Sequence, residues 1–150
     1  MKHVFGHLWR GRRPTDLAQM QALGFARIIS LQSGVEDRWT ESLLERQRAT
    51  VAQFGIDYVY IQCRNWLPPT SAQVASVMQL IAASQAKTYI HCHSGVDRTG
   101  YMCAAARVKL EAWPIDRAVA EWKAEGRHWW FVWWEPYLRG ALARIEASRA

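Results

Sequence analysis

Short apolar runs alternate with amphipathic stretches along this chain, and glycine or proline marks most of the boundaries between them. Phe5 to Arg10 reads as a short strand, closed by Gly11 and Pro14. Thr15-Asp16 offers capping oxygens for a helix to about Leu23, which Gly24 ends. Ala26 to Leu31 is apolar enough for a buried strand, and Gly34 breaks the chain after it. Glu36 to Phe54 is a charged helical stretch with Leu43, Leu44, Val51 and Phe54 directed to the core, and Gly55 stops it. Ile56 to Gln62 alternates as a strand, and Cys63 to Pro69 is a loop with two prolines. Thr70-Ser71 caps a helix over Ala72 to Ser84 that aligns Val74, Val77, Met78 and Ile81 on one face. A strand ending Thr88-Tyr89-Ile90 follows, then a helical pattern from Thr99 to about Glu111. Trp113-Pro114 separates that pattern from a helix over Asp116 to Glu125. A tryptophan-rich segment then leads to a last helix from about Pro136.

Strands alternating with helices predict an α/β fold with a central, mainly parallel sheet flanked by helices. A chain of 150 residues is long enough for one sizeable core and short for two, so one domain over 1–150 is expected. Sites in such sheets lie beyond the carboxyl ends of the strands. Two loops fall there, one after Ile90 and one after Gln62.

The loop after Ile90 carries the chemistry. It reads His91-Cys92-His93-Ser94-Gly95-Val96-Asp97-Arg98-Thr99-Gly100. A cysteine on a tight turn between a strand and a helix N-terminus, five residues ahead of an arginine, suits one task. It grips a phosphate dianion while a thiolate attacks phosphorus. A helix N-terminus and a nearby guanidinium lower a thiol pKa, often to roughly 3.5–7.5. Backbone N–H groups from His93 to Arg98 form an anion nest, and Arg98 adds a planar fork for two phosphate oxygens. Gly95 lets the backbone curl. Thr99 places a hydroxyl near the departing thiolate, and His91 orients the loop through its ring nitrogens. The arginine and the nest supply the electrostatics, so neither a metal nor a cofactor is expected.

These residues resemble the Cys-x5-Arg-Ser/Thr motif of the cysteine-dependent protein-tyrosine and dual-specificity phosphatases. The opening also looks like that of bacterial atypical dual-specificity phosphatases, through Leu8-Trp9-Arg10-Gly11-Arg12-Arg13-Pro14 and then Leu23 to Leu31. So does Asp116 to Trp122, in the helix after the loop helix, and the likeness covers about residues 5–140. The resemblance implies a phosphatase that forms a cysteinyl-phosphate on Cys92 and acts on protein phosphotyrosine or dual-specificity targets. It also implies a general acid on the loop ahead of the motif. Here that loop, Cys63-Arg64-Asn65-Trp66-Leu67-Pro68-Pro69, holds no carboxylate. Two accounts stand. The protein is a phosphate-reading module without turnover, or the acid is Asp97 inside the loop, as in the similar Gly-x-Asp-Arg-Thr string of the myotubularin lipid phosphatases. Asp37, Glu36 and Asp57 are the other candidate acids, and Asp97 as a loop-stabilising carboxylate is the plainer alternative. Asn65, Trp66 and Trp39 are candidates for the pocket wall.

Composition narrows the partners. The net charge is +6, with a pI near 9.6, which favours phosphorylated proteins, small phosphate esters or anionic lipid head groups. A phosphoinositide or inositol-phosphate substrate is the second enzymatic reading, although the loop carries no lysine for additional phosphates. Arg10-Gly11-Arg12-Arg13 is the one tight basic cluster, and no basic motif with interleaved aromatics points to nucleic acid. No run approaches the ~20 apolar residues of a membrane span, and Met1 to His7 lacks the apolar core of a signal peptide. Three cysteines make no disulfide framework, so a reducing cytoplasm is expected. Cys63 is read as inert and buried, with a protective disulfide to Cys92 as the alternative, and Cys103 as packing. Trp129 to Trp134 reads as core packing or as an exposed lip for a partner or membrane surface.

Overall fold

The strands are β1 (Lys2–Phe5), β2 (Leu8–Gly11), β3 (Arg27–Ser30), β4 (Asp57–Tyr60) and β5 (Thr88–His91). They form one sheet in the order β1-β2-β5-β3-β4. β1 runs antiparallel to β2, and the other neighbours are parallel. In this computed structural model, residues 1–33, 41–93, 95–125 and 128–149 are described. The sequence-predicted roles of Gly34, Glu36, Asp37, Trp39 and Ser94 lie outside them.

The helices are α1 (Leu17–Ala22), α2 (Glu41–Gln53), α3 (Ser71–Ala82), α4 (Asp97–Glu111), α5 (Ile115–Ala124) and α6 (Glu135–Ser148), with a 3₁₀ segment at Trp129–Trp134. Alternation along the strands sorts them into two layers. Ile29 and Ile90 face the larger core, shared with α3, α4, α5 and α6. Their neighbours Ile28 and Tyr89 face a smaller one with Leu17, Met20, Phe25 and Val51. α3 follows its sequence pattern closely. Thr70 and Gln73 exchange the reciprocal bonds of a capping box, and Val74, Val77, Met78 and Ile81 are buried.

Three expectations are corrected. The single strand from Phe5 to Arg10 is instead a hairpin of β1 and β2, turned at Gly6 with φ +44°. Apolar residues continue on both sides of that turn and mask it. Leu43 is exposed rather than in the core, because the buried end of α2 is its C-terminal turn at Val51. α4 begins at Asp97 rather than Thr99, which brings Asp97 and Arg98 onto its first turn.

Candidate active site

β5 sits between β2 and β3, with Gly11 and Ser30 flanking His91 in register. The chain therefore leaves the middle of the sheet at its carboxyl edge, and Cys92 is the first residue beyond the strand. The side chain of Cys92 is buried. His93, Gly95 and Val96 lie on the turn into α4, and Val96 is its N-cap.

Contacts from β2 hold this turn. Gly95 adopts φ +77°, and a Cβ there would lie 2.3 Å from the Gly11 carbonyl oxygen and 2.9 Å from the Arg12 nitrogen. Only glycine permits both the conformation and the approach. Buried Arg10 donates from Nη2 to the carbonyls of Gly95 at 3.0 Å and Val96 at 3.4 Å. On the other side the Tyr89 hydroxyl donates to the Arg12 carbonyl at 2.6 Å. Arg10 and Gly11 carry part of the family resemblance. They clamp the loop.

His91 lies under the turn, fully buried, with Nδ1 3.0 Å from the Cys92 carbonyl oxygen. Burial pushes its pKa down to about 4, so the ring is neutral at neutral pH and its single proton sits on Nδ1, donated to that carbonyl. Arg98 is buried, and its Nη1 donates to the carbonyls of Cys63 at 3.0 Å and Leu31 at 3.3 Å. These carbonyls follow β4 and β3, so the ends of two strands orient the guanidinium. Thr99 is buried, and its hydroxyl bonds no described residue.

Cys92, His93, Asp97 and Arg98 line one cavity of about 180 Å³. Its walls are Asn65 and Trp66 from the loop after β4, and His128, Trp130 and Phe131 from the segment after α5. The rings of Trp66 and Phe131 lie 5.7 Å apart. An adjoining cavity of about 440 Å³ is lined by Arg12, Arg13 and Tyr89, and His93 borders both.

Asp97 is buried. Its Oδ1 accepts the backbone N–H of His128 at 2.9 Å, and its Oδ2 meets Nδ1 of the His128 ring. Sequence reasoning missed His128 altogether. It lies 31 positions from Asp97, and a lone histidine before a tryptophan run carries no local signal. Asp57 opens β4 at the opposite edge of the sheet from Cys92. Cys63 and Cys103 are free and buried. Burial pushes the Cys63 thiol up to about 12 and that of Cys103 to about 11, so both stay protonated and unreactive at neutral pH. Among the described residues, no cluster of three or more His, Cys, Asp or Glu side chains is placed to hold a metal ion. No described helix is long and apolar enough to cross a membrane.

A family model described as "DSP-PTPase phosphatase fused to NAD+ Kinase" matches residues 3–127. Among solved structures, TpbA of P. aeruginosa superposes with a TM-score of 0.75 at 20% identity, covering 96% of this chain and 86% of that one. Tk-PTP in its active form gives 0.72 at 16% identity, over 97% and 95% of the two chains. Kinase-associated phosphatase, with its catalytic-site cysteine changed to serine, gives 0.71 at 17% identity, over 88% and 76%. A variant of TpbA with a cysteine changed to serine, in complex with phosphotyrosine, matches with a TM-score of 0.74 at 19% identity over 96% of this chain and 86% of that one. No curated protein matches the sequence.

Proposed function

Because the chain belongs to the family of DSP-PTPase phosphatases fused to NAD+ kinase, we propose that it hydrolyses phosphate monoesters through a cysteinyl-phosphate intermediate. Its substrates are phosphotyrosine-containing or dual-specificity protein targets. One observation carries this reading. Cys92 and Arg98 line the same cavity at the N-terminus of α4, and carbonyls at the ends of two strands hold the guanidinium in place.

The Cys92 thiolate attacks phosphorus while backbone N–H groups of the turn and the Arg98 fork take up the charge on the equatorial oxygens. The pair formed by Asp97 and His128 handles the leaving-group proton. The aromatic walls Trp66, Trp130 and Phe131 suit a phenyl ring, and TpbA, which shares this fold, has been solved with phosphotyrosine. A reducing compartment such as the cytoplasm keeps the thiol competent. The second reading is an inositol-phosphate or anionic-lipid substrate, favoured by Arg12 and Arg13 in the adjoining cavity.

Turnover of a small aryl phosphate tests hydrolysis itself. Cys92→Ser should abolish it yet still bind vanadate, since the nest and Arg98 remain. Residual activity above a few per cent of wild type would point to another nucleophile. A panel of phosphopeptides against inositol lipids then separates the two substrate classes.

A further inference from the structure

We propose that the leaving-group proton is carried by the imidazole of His128, with Asp97 as the carboxylate that orients it. The assignment rests on the phosphatase reading above.

The geometry divides the two roles. Asp97 is buried, and one residue engages both its oxygens, the backbone N–H of His128 at Oδ1 and the ring at Oδ2. A carboxylate only accepts, so the ring proton shared with it sits on Nδ1. That leaves Nε2 as the nitrogen free to exchange a proton with substrate, and it bonds no described residue. The His128 side chain is 37% exposed against 6% for Asp97, so the imidazole is the member of the pair that solvent and substrate reach. The ring borders the cavity of Cys92 and Arg98. Stacking on Trp130 at 4.5 Å between centroids holds its plane. A carboxylate on Nδ1 that fixes the tautomer and orientation of a working imidazole is a recurrent arrangement in nucleophilic catalysis.

The steps balance. Cys92 sulfur bonds to phosphorus as the bond from phosphorus to the leaving oxygen breaks. That oxygen takes the Nε2 proton of imidazolium and leaves as the alcohol or phenol. The neutral Nε2 then accepts a proton from water, whose oxygen attacks phosphorus as the P–S bond breaks. Orthophosphate, the thiolate and imidazolium result. The other titratable or charged groups at this described cavity are Cys92, His93, Asp97 and Arg98.

The test uses the whole chain and two substrates, a phosphotyrosine peptide with a poor leaving group and an aryl phosphate with an activated one. In His128→Ala, kcat/KM for the peptide should fall by about 10²–10⁴-fold, the usual effect of removing a positioned acid. The activated substrate should lose less than tenfold. The alkaline limb of the pH–rate profile should disappear, and added imidazole should restore peptide turnover. Vanadate affinity should remain within a few-fold, showing an intact pocket. His128→Gln should show the same selective loss on the peptide, without rescue because its side chain fills the space, which guards against a folding defect peculiar to alanine. Asp97→Asn should slow the peptide selectively without imidazole rescue, because the ring is still in place. Equal losses on both substrates with no rescue would reduce His128 to a structural prop and overturn the assignment. A wild-type-like His128→Ala beside a selectively impaired Asp97→Asn would return the acid to Asp97. A wild-type protein inert on both substrates would remove the phosphatase reading, and this assignment with it.

Discussion

A methyl group on Gly95 should damage both the stability of the fold and the chemistry of the loop, through one displacement. The added Cβ would lie 2.3 Å from the Gly11 carbonyl oxygen, whereas ordinary contacts begin near 3.4 Å. Turn and strand must therefore separate by about 1 Å. A left-handed conformation costs an L-residue about 1–2 kcal/mol, and overpacking adds about 1–3 kcal/mol. The sum predicts that Gly95→Ala loses about 2–5 kcal/mol in urea unfolding. The turn also aims the backbone N–H groups and begins the helix bearing Arg98. A 1 Å misplacement of such groups costs on the order of 10²-fold in rate. Gly6→Ala isolates the backbone part. Gly6 also has a positive φ, but nothing lies within 4 Å of its added Cβ. That variant should lose only about 1–2 kcal/mol and keep wild-type kcat/KM. The assays are urea midpoints and turnover of an activated aryl phosphate. Wild-type kcat/KM in Gly95→Ala would refute the claim that contact with β2 shapes the loop.

Arg98→Lys should lower kcat/KM by about 10²-fold or more, because one ammonium cannot both hold the strand-end carbonyls and grip two phosphate oxygens; single-turnover kinetics would show it. Arg10→Met removes the donor to Gly95 and Val96; Val96 keeps its bond from the Gly100 N–H, and the Gly95 carbonyl is left without its donor, at about 1–3 kcal/mol. It should lower the melting temperature and weaken vanadate binding together, and a loss of stability alone would detach Arg10 from the site. His91 has a folded pKa of about 4, below its ordinary 6.5. Its contribution is complete above the unfolded value and is lost as pH falls towards the folded one. About 2 kcal/mol should disappear between pH 7 and pH 5. Comparing urea midpoints of wild type and His91→Asn at both pH values checks this, since His91→Asn should lack that increment.

Legibility from sequence followed the range of the interactions. The capping box of Thr70 and Gln73 spans four residues, and the apolar face of α3 repeats at helical spacing, so both are written locally. The spacing of Cys92 and Arg98 is local too, and so is the strand-to-helix context in which it stands. Arg10 reaches Gly95 across 85 positions, and Asp97 reaches His128 across 31. Nothing in the neighbourhood of either residue encodes its partner. The hairpin at Gly6 was hidden for another reason. A strand and a tight hairpin share the same alternation, and only the positive φ separates them.

The tryptophan-rich segment divides between core and surface, with short 3₁₀ turns on either side of a kink at Phe131. A 3₁₀ helix has three residues per turn, so positions i and i+3 share a face. Phe131 and Trp134 are buried, whereas Trp130 and Trp133 are 42% and 43% exposed. The sequence alone does not reveal a period of three, because an unbroken aromatic run fits any period. The buried face anchors the segment on α4, where Trp134 packs edge-on against Tyr101 at 6.2 Å. Asp97, four residues before Tyr101 on the same helix, lies on the same face and binds His128 at the other end of the segment. One face of the loop helix thus holds both ends of the stretch that walls the cavity. The aromatic run therefore acts on the site through geometry, by fixing where the His128 imidazole stands relative to Cys92 and Arg98.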